Sequence, residues 1–250
     1  DHFGVGHIFL AGEAPGLFYG YVTQGIVQKE DITENGIKYI KQDGSVGYYQ
    51  TVNKTTPVAG DVKYVDRNGD GVVDDNDRDI IGNPNPDFTY GFQTKVSWKS
   101  LSLSASFNGV QGRDILNVGN RYNNTPGTKS NNVTRKAFQN MWTDENPSNL
   151  YPKSTFVVQN MVMDRYVEDG SYLRCSDITL SYVLPAKWTN KIGIKNTSVY
   201  ASVKNAFVIT DYSGYDPEVN SFAFDGLRPG VDMNSYPTPR SFVFGLNLTF

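Results

Sequence analysis

The sequence is short of most features that make a site easy to read. Among its 250 residues there is one cysteine, Cys175, so no disulfide framework can form within the chain. The histidines are His2 and His7 alone, both within the first seven residues: too few for a metal centre without a third ligand, and no Ser-His-Asp set is credible. A net charge of −3 removes the bulk electrostatic case for nucleic acid. No apolar run approaches the ~18 residues of a membrane helix, and mean hydropathy is −0.44. That excludes helical spans but not a transmembrane β-barrel, whose strands alternate and never look hydrophobic on average. Helical periodicity is nearly missing too, with 133-VTRKAFQNMW-142 as the best candidate. No Walker or dinucleotide motif occurs. The acidic pairs Asp144-Glu145 and Glu168-Asp169 read as solvated loop charges, not as a glycosidase pair. No enzyme is expected. The opening residues, DHFGVGHIFLAGEAPG, carry no basic n-region and no initiator methionine, and read as the start of a mature product or of a piece of something longer.

What is present is aromatic and alternating. Tyr (16) and Phe (14) dominate an aromatic content of 13%. In 87-DFTYGFQTKVSW-98, Phe88, Tyr90, Phe92, Val96 and Trp98 share one face with Thr94, and the residues between them are polar or glycine. A tight polar connection at Lys99-Ser100 leads into 101-LSLSASFNG-109, where Leu101, Leu103, Ala105 and Phe107 share a face opposite serines and Asn108. Period-two patterning of this length predicts a long hairpin, greasy on one side and polar on the other. Three more strands are predicted, about Tyr172–Leu184, about Thr197–Val208, and 240-RSFVFGLNLTF-250.

The connections alternate short, long, short, long, which is the habit of outer-membrane barrels. Twelve residues at ~3.3 Å each, tilted near 45°, cover roughly 28 Å along the membrane normal, close to the ~25 Å apolar band. The alternative is a soluble β-sandwich, whose strands usually run about 5–6 residues and whose apolar face packs on a second sheet. The barrel is the preferred expectation: all-β, antiparallel, transmembrane, with long extracellular loops. Five strands cannot close a barrel that needs at least about eight, and an open edge leaves backbone groups unpaired in hydrocarbon. Residues 1–250 are therefore expected to be the C-terminal portion of a larger barrel, with 1–86 mainly an extracellular loop region and 87–250 the membrane strands and their outer loops.

Before the first long strand stands 66-DRNGDGVVDDND-77, with five Asp and two Asn in twelve residues. An EF-hand-type loop places ligands at positions 1, 3, 5, 7, 9 and 12 with Gly at 6. Asp66, Asn68, Asp70, Val72 (through its carbonyl), Asp74 and Asp77 fill those positions and Gly71 is sixth, so Ca²⁺ is the candidate cofactor. The same residues also suit a loop of Asx turns that needs no ion, and both readings stay open. Tyr212, Tyr215, Phe222, Phe224, Tyr236, Phe18, Tyr19 and Tyr21 form a second group, able to stack on sugars or pack at interfaces.

Several blocks carry a family likeness. The stretch 61-DVKYVDRNGDGVVDDNDRDIIGNPNPDFTYGF-92 resembles the C-terminal region of SusC/RagA-type TonB-dependent outer-membrane transporters of Bacteroidota. So do 14-APGLFYGYVTQGIVQ-28, 167-VEDGSYLRCSDITLSYVLPAKW-188, 213-SGYDPEVN-220 and 240-RSFVFGLNLTF-250. The resemblance implies a twenty-two-stranded barrel with a plug, in the outer membrane of a Gram-negative cell. It implies a SusD-like surface lipoprotein as lid, and TonB-driven uptake of glycans or peptides, with the TonB complex engaging a part outside this sequence. It also implies that Phe242, Phe244, Leu246, Leu248 and Phe250 form the aromatic-ended signal read by the barrel-assembly machinery. The competing function is a secreted calcium-dependent carbohydrate-binding β-sandwich module.

Overall fold

Alternation becomes strands where it is longest. The computed structural model describes residues 6–125, 132–154, 161–189, 194 and 196–249. Five long strands, β1 (Phe88–Trp98), β2 (Leu101–Gln111), β3 (Tyr172–Val183), β4 (Asn196–Thr210) and β5 (Ser241–Thr249), form one antiparallel sheet in chain order. Lys99 takes a left-handed conformation, φ 54°, at the tight β1–β2 turn, which lets two residues connect strands that twist right-handedly. The two short connections share one end of this sheet, and both long connections leave from the other.

Register lines up the apolar residues into rows. Trp98 pairs with Leu101, Leu101 with Tyr182, Tyr182 with Val199 and Val199 with Leu246. The next row runs Val96, Leu103, Leu180, Ala201 and Phe244. Between them lies a polar row, Ser97, Ser102, Ser181, Tyr200 and Gly245, on the opposite face. The apolar rows are not covered: Trp98 is 69% exposed, Val96 65% and Phe244 79%. A sandwich would have buried that face on a second sheet, so the soluble alternative loses its central requirement. The polar face carries its own network, in which Asp177 accepts from Thr179 and Ser202 and pairs with Lys204.

A β-bulge at Ser176 breaks the alternation of β3. Ser106 pairs with Asp177, but Phe107 pairs with Cys175, and on the other side Cys175 pairs with Phe207 while Asp177 pairs with Lys204. One extra residue shifts the phase by one. Cys175 thereby joins the apolar face, although Ile178, Leu180 and Tyr182 set that face with even numbers. It is fully buried there.

Contact density divides the chain into two units. The long sheet belongs to Pro86–Arg113, Asp169–Val219 and Ser235–Phe250; the other unit is Asp1–Asn85, Asp114–Glu168 and Asn220–Asn234. The latter is a patchwork of strands of two to five residues. Leu17–Tyr21 pairs with His7–Ile8 and with Arg78–Gly82, and Ile32–Thr33, Gly36–Ile40 and Val46–Tyr49 form a small meander. Its core is aromatic: Phe18, Tyr39, Tyr49 and Tyr64 are buried among Ile26, Val27 and Val73. Buried tyrosines need hydrogen-bond partners, and each has one. Tyr39 donates to the Asp66 carbonyl (2.7 Å), Tyr49 accepts from the Tyr64 N–H (3.1 Å), and the Tyr64 hydroxyl meets the Met163 sulfur (3.7 Å). The predicted helix at 133–142 is realised as Arg135–Asn140, capped by the Thr134 hydroxyl. No helix among the described residues is long and apolar enough to cross a membrane.

Candidate functional site

The Asp-rich loop folds back on its own backbone. Asp66, buried, accepts from the N–H groups of Gly69 (2.6 Å) and Gly71 (2.8 Å). Asp77, also buried, accepts from Arg67 (2.8 Å) and Asn68 (3.3 Å) on one oxygen and from Asp74 (2.8 Å) on the other. Asp70 takes the Val72 N–H, and Asp74 caps the short 3₁₀ turn Asp75–Asp77 by accepting from Asn76. Gly71 adopts φ +87°, a left-handed conformation that favours glycine. Burial pushes the Asp66 carboxyl up; the Gly71 and Gly69 hydrogen bonds oppose this, and the nearby Asp77 and Asp70 charges add to it. Among the described residues no three acidic, histidine or cysteine side chains gather as a metal-holding set. The arrangement found is that of a loop whose carboxylates accept from its own backbone. Tyr39 and Tyr21 stitch it to the aromatic core, Tyr21 through the Asp75 carboxylate (3.1 Å).

A second cluster joins two of the blocks that carry the family likeness. Arg174 of β3 reaches Asp216 at 2.6 Å, with both side chains nearly sealed from solvent (6% and 4% exposed). Its Nε lies 2.7 Å from a Glu218 oxygen, as an ion pair off the hydrogen-bond direction. Glu218 also accepts from the Tyr172 hydroxyl (2.6 Å) and the Asn108 carboxamide (3.1 Å). Asp216 accepts in addition from the Glu218 and Thr238 N–H groups. Burial alone would raise the Asp216 carboxyl, but these hydrogen bonds and the Arg174 charge outweigh it and hold it below the usual carboxylate range. The Arg113 guanidinium donates to the Pro217 carbonyl, so the Asp-Pro-Glu turn is held from two sides. This is a latch between loop 211–219 and the polar face of the sheet. Sequence reading missed it, because its partners are 42 residues apart.

The remaining candidates scatter. His7 is part-buried against Phe18 and hydrogen-bonded to the Pro229 carbonyl, and burial lowers its pKa; His2 lies outside the described residues. Phe18, Tyr21 and Tyr212 are buried, whereas Tyr215, Phe224 and Tyr236 are at least three-quarters exposed. Asp144 pairs with Lys29, and Glu168 accepts from Asn117 and Asn120. Phe242, Phe244, Leu246 and Leu248 lie on the exposed apolar face of β5; Phe250 lies outside the described residues.

A sheet of long antiparallel strands, apolar and uncovered on one face and polar on the other, defines the class: the wall of a transmembrane β-barrel. The comparisons carry this further. Over 248 residues the chain is 33% identical to TonB-dependent receptor P3 of Formosa agariphila, an alignment covering 97% of this chain and 23% of that protein. It is 35% identical over 201 residues to TonB-dependent receptor P26 of the same organism (77% and 20% covered). Against TonB-dependent receptor SusC of Bacteroides thetaiotaomicron it is 34% identical over 194 residues (75% and 17%). Among solved structures, the RagAB peptide importer in its open-open state superposes with a TM-score of 0.64 at 25% identity, covering 99% of this chain and 24% of that one. No family model matches. The chain belongs to the SusC/RagA type of TonB-dependent receptors, proteins of the outer membrane. It spans about a fifth to a quarter of the length of the curated relatives it matches over nearly all its residues.

Proposed function

We propose that the whole protein imports glycans or peptides across the outer membrane, driven by TonB, and that residues 1–250 supply the closing wall and outer loops of its barrel. The observation that carries this is the long sheet with its uncovered apolar face, in a chain similar throughout to TonB-dependent receptors. In this reading the long connections face outward and the short turns face the periplasm. Residues 1–86 then lie mainly outside the cell, where a SusD-like lipoprotein acts as lid. The TonB complex acts through the part of the protein beyond this chain, and Phe242 to Phe250 present the assembly signal to the barrel-assembly machinery. No bond is made or broken by these residues. The relatives are named receptors, and the neighbouring structure is named a peptide importer.

The test is deletion of the full-length gene, followed by growth and uptake on defined oligosaccharides and on peptides, with and without intact TonB. Loss of uptake of one class in both mutants is the expected result. A receptor recovered in the soluble fraction, with uptake of both classes intact, overturns the reading. Calcium at Asp66, Asn68, Asp70, Val72, Asp74 and Asp77 is a separate proposal resting on oxygen spacing alone. The backbone hydrogen bonds give the same residues a metal-free role.

A further inference from the structure

We propose that a cavity of about 400 Å³ in the unit built from the short strands binds the carboxylate of an acidic sugar residue. The inference deepens the uptake reading and rests on it for the source of the sugar. The cavity is lined by Lys136, Asn149, Tyr151 and Arg165, with Asn120 and Asn124 beside them, and by no aspartate or glutamate among the described residues. Its donors are unspent. Lys136 is exposed and has no ion-pair partner among the described residues. The Asn149 oxygen accepts from the Ile26 N–H (2.9 Å), which turns its NH₂ into the available group. The Tyr151 hydroxyl has no hydrogen bond to the described residues. Arg165 gives one terminal nitrogen to the Leu150 carbonyl; its Nη1 is shut off from solvent, so the guanidinium acts on the cavity through its charge.

The acceptors, by contrast, are already used. The Asn124 oxygen takes the Thr134 hydroxyl (2.9 Å) and the Asn120 oxygen takes the Asn124 amide (3.3 Å). Nearby carboxylates are occupied too: Glu168 accepts from Asn117 (3.0 Å) and Asn120 (2.7 Å), and Asp164 accepts from the Thr23 N–H and hydroxyl. A site rich in free donors and poor in free acceptors suits a ligand that only accepts, and two cations suit one that is charged. A peptide segment would bring more amide N–H groups than the free Tyr151 hydroxyl can accept, at a cost for each one buried unpaired. Sugar hydroxyls can turn their hydrogens to water and accept, and the faces of Tyr151 and Tyr166 offer surface for a ring.

The test uses the full-length receptor purified in detergent, titrated calorimetrically with glucuronate, glucose and acetate. Glucuronate is expected to bind at least tenfold tighter than either control. Lys136→Ala should weaken it about fivefold to tenfold, and Lys136→Arg should restore most of that loss. Lys136 is an exposed helix residue, so these variants fold. Equal binding of glucuronate and glucose, equal binding of glucuronate and acetate, or indifference to Lys136→Ala overturns the proposal. Uptake is read separately in cells. Receptor-dependent uptake without glucuronate binding overturns the cavity alone, and glucuronate binding without receptor-dependent uptake supports the cavity while overturning the uptake reading.

Discussion

The two units spend the same residue types in opposite directions. In the short-stranded unit Phe18, Tyr39, Tyr49 and Tyr64 point inward and are out of solvent. In the long sheet Phe92, Trp98, Phe242 and Phe244 point outward and are more than half exposed. Both are answers to the hydrophobic effect, in different solvents. Where water surrounds the unit, apolar area is removed from it by packing inward. Where lipid surrounds the sheet, the apolar face needs no protein cover, and every backbone group must instead be paired within the sheet. Composition is blind to this difference; the length of alternation is not. Strands of nine to fifteen residues mark the lipid-facing unit, and strands of two to five mark the other.

The contrast can be broken at single positions in the full-length receptor. Tyr49→Ala removes a fully buried ring and the hydrogen bond it accepts from the Tyr64 N–H. A loss of about 3–5 kcal/mol is expected in the short-stranded unit. Limited proteolysis should then cut within residues 6–82 faster, while the heat-modifiable gel mobility of the barrel stays unchanged. If the barrel melts too, the units are not separately stable. Next, Ile178→Arg puts a charge near the middle of β3 on the lipid face and should cost about 2–4 kcal/mol, read as reduced outer-membrane yield. Ser104→Arg, on the polar face, should be nearly silent. The reverse order would mean that the faces are assigned wrongly.

A smaller effect sharpens the picture where loop meets sheet. Asp216→Asn weakens the latch to Arg174 and should cost about 1–3 kcal/mol, seen as faster cleavage of loop 211–219. The sign of its pH dependence is fixed by the depressed carboxyl. The contribution is complete above the unfolded value of about 3.9 and is lost as pH falls through the lower folded value. Protection of the loop in the native receptor should therefore hold from neutral pH to about 4 and fall below that. The Asp216→Asn variant should show no such fall. A native profile that declines already between about pH 7 and 5 would count against the latch.

Much of the long sheet was legible. Period-two runs at 87–98 and 101–109 predicted the hairpin of Phe88–Trp98 and Leu101–Gln111 to within two residues, because a face in contact with lipid keeps its alternation over the whole strand. The bulge at Ser176 also left a trace: apolar residues fall on Leu173 and Cys175, then switch phase to Ile178, Leu180 and Tyr182. The short strands left almost none, since two to five residues held by tertiary packing carry too little alternation. The 133–142 helical signal shortened at its end because Trp142 turns away to bond Gln28 through its indole and Tyr151 through its backbone. The latch was invisible, as Arg174 and Asp216 meet only once the strand and loop are placed. The cavity was invisible for the same reason, its lining arriving from segments as far apart as Thr23 and Asn149.

The Asp-rich loop is where spacing and geometry pull apart, and there the expected effect is smallest. Spacing alone matches a calcium loop. In the folded chain the Asp66 and Asp77 carboxylates already accept five backbone N–H bonds, two at Asp66 and three at Asp77. A bound ion would have to improve on donors that are in place. If calcium bound with a dissociation constant of about 0.1 mM, then ~1 mM would add about 1.4 kcal/mol to the stability of the native receptor. Satisfied carboxylates predict much less, a change in Tm below about 1 °C between ~1 mM calcium and excess chelator. Terbium luminescence sensitised by Tyr39, whose hydroxyl touches the Asp66 carbonyl, gives an independent reading of the same loop. Emission that calcium competes away, together with a calcium-dependent rise in Tm, would restore the ion and leave the hydrogen bonds to orient its ligands. Silence in both leaves a loop that uses its acidic residues to hold its own turn.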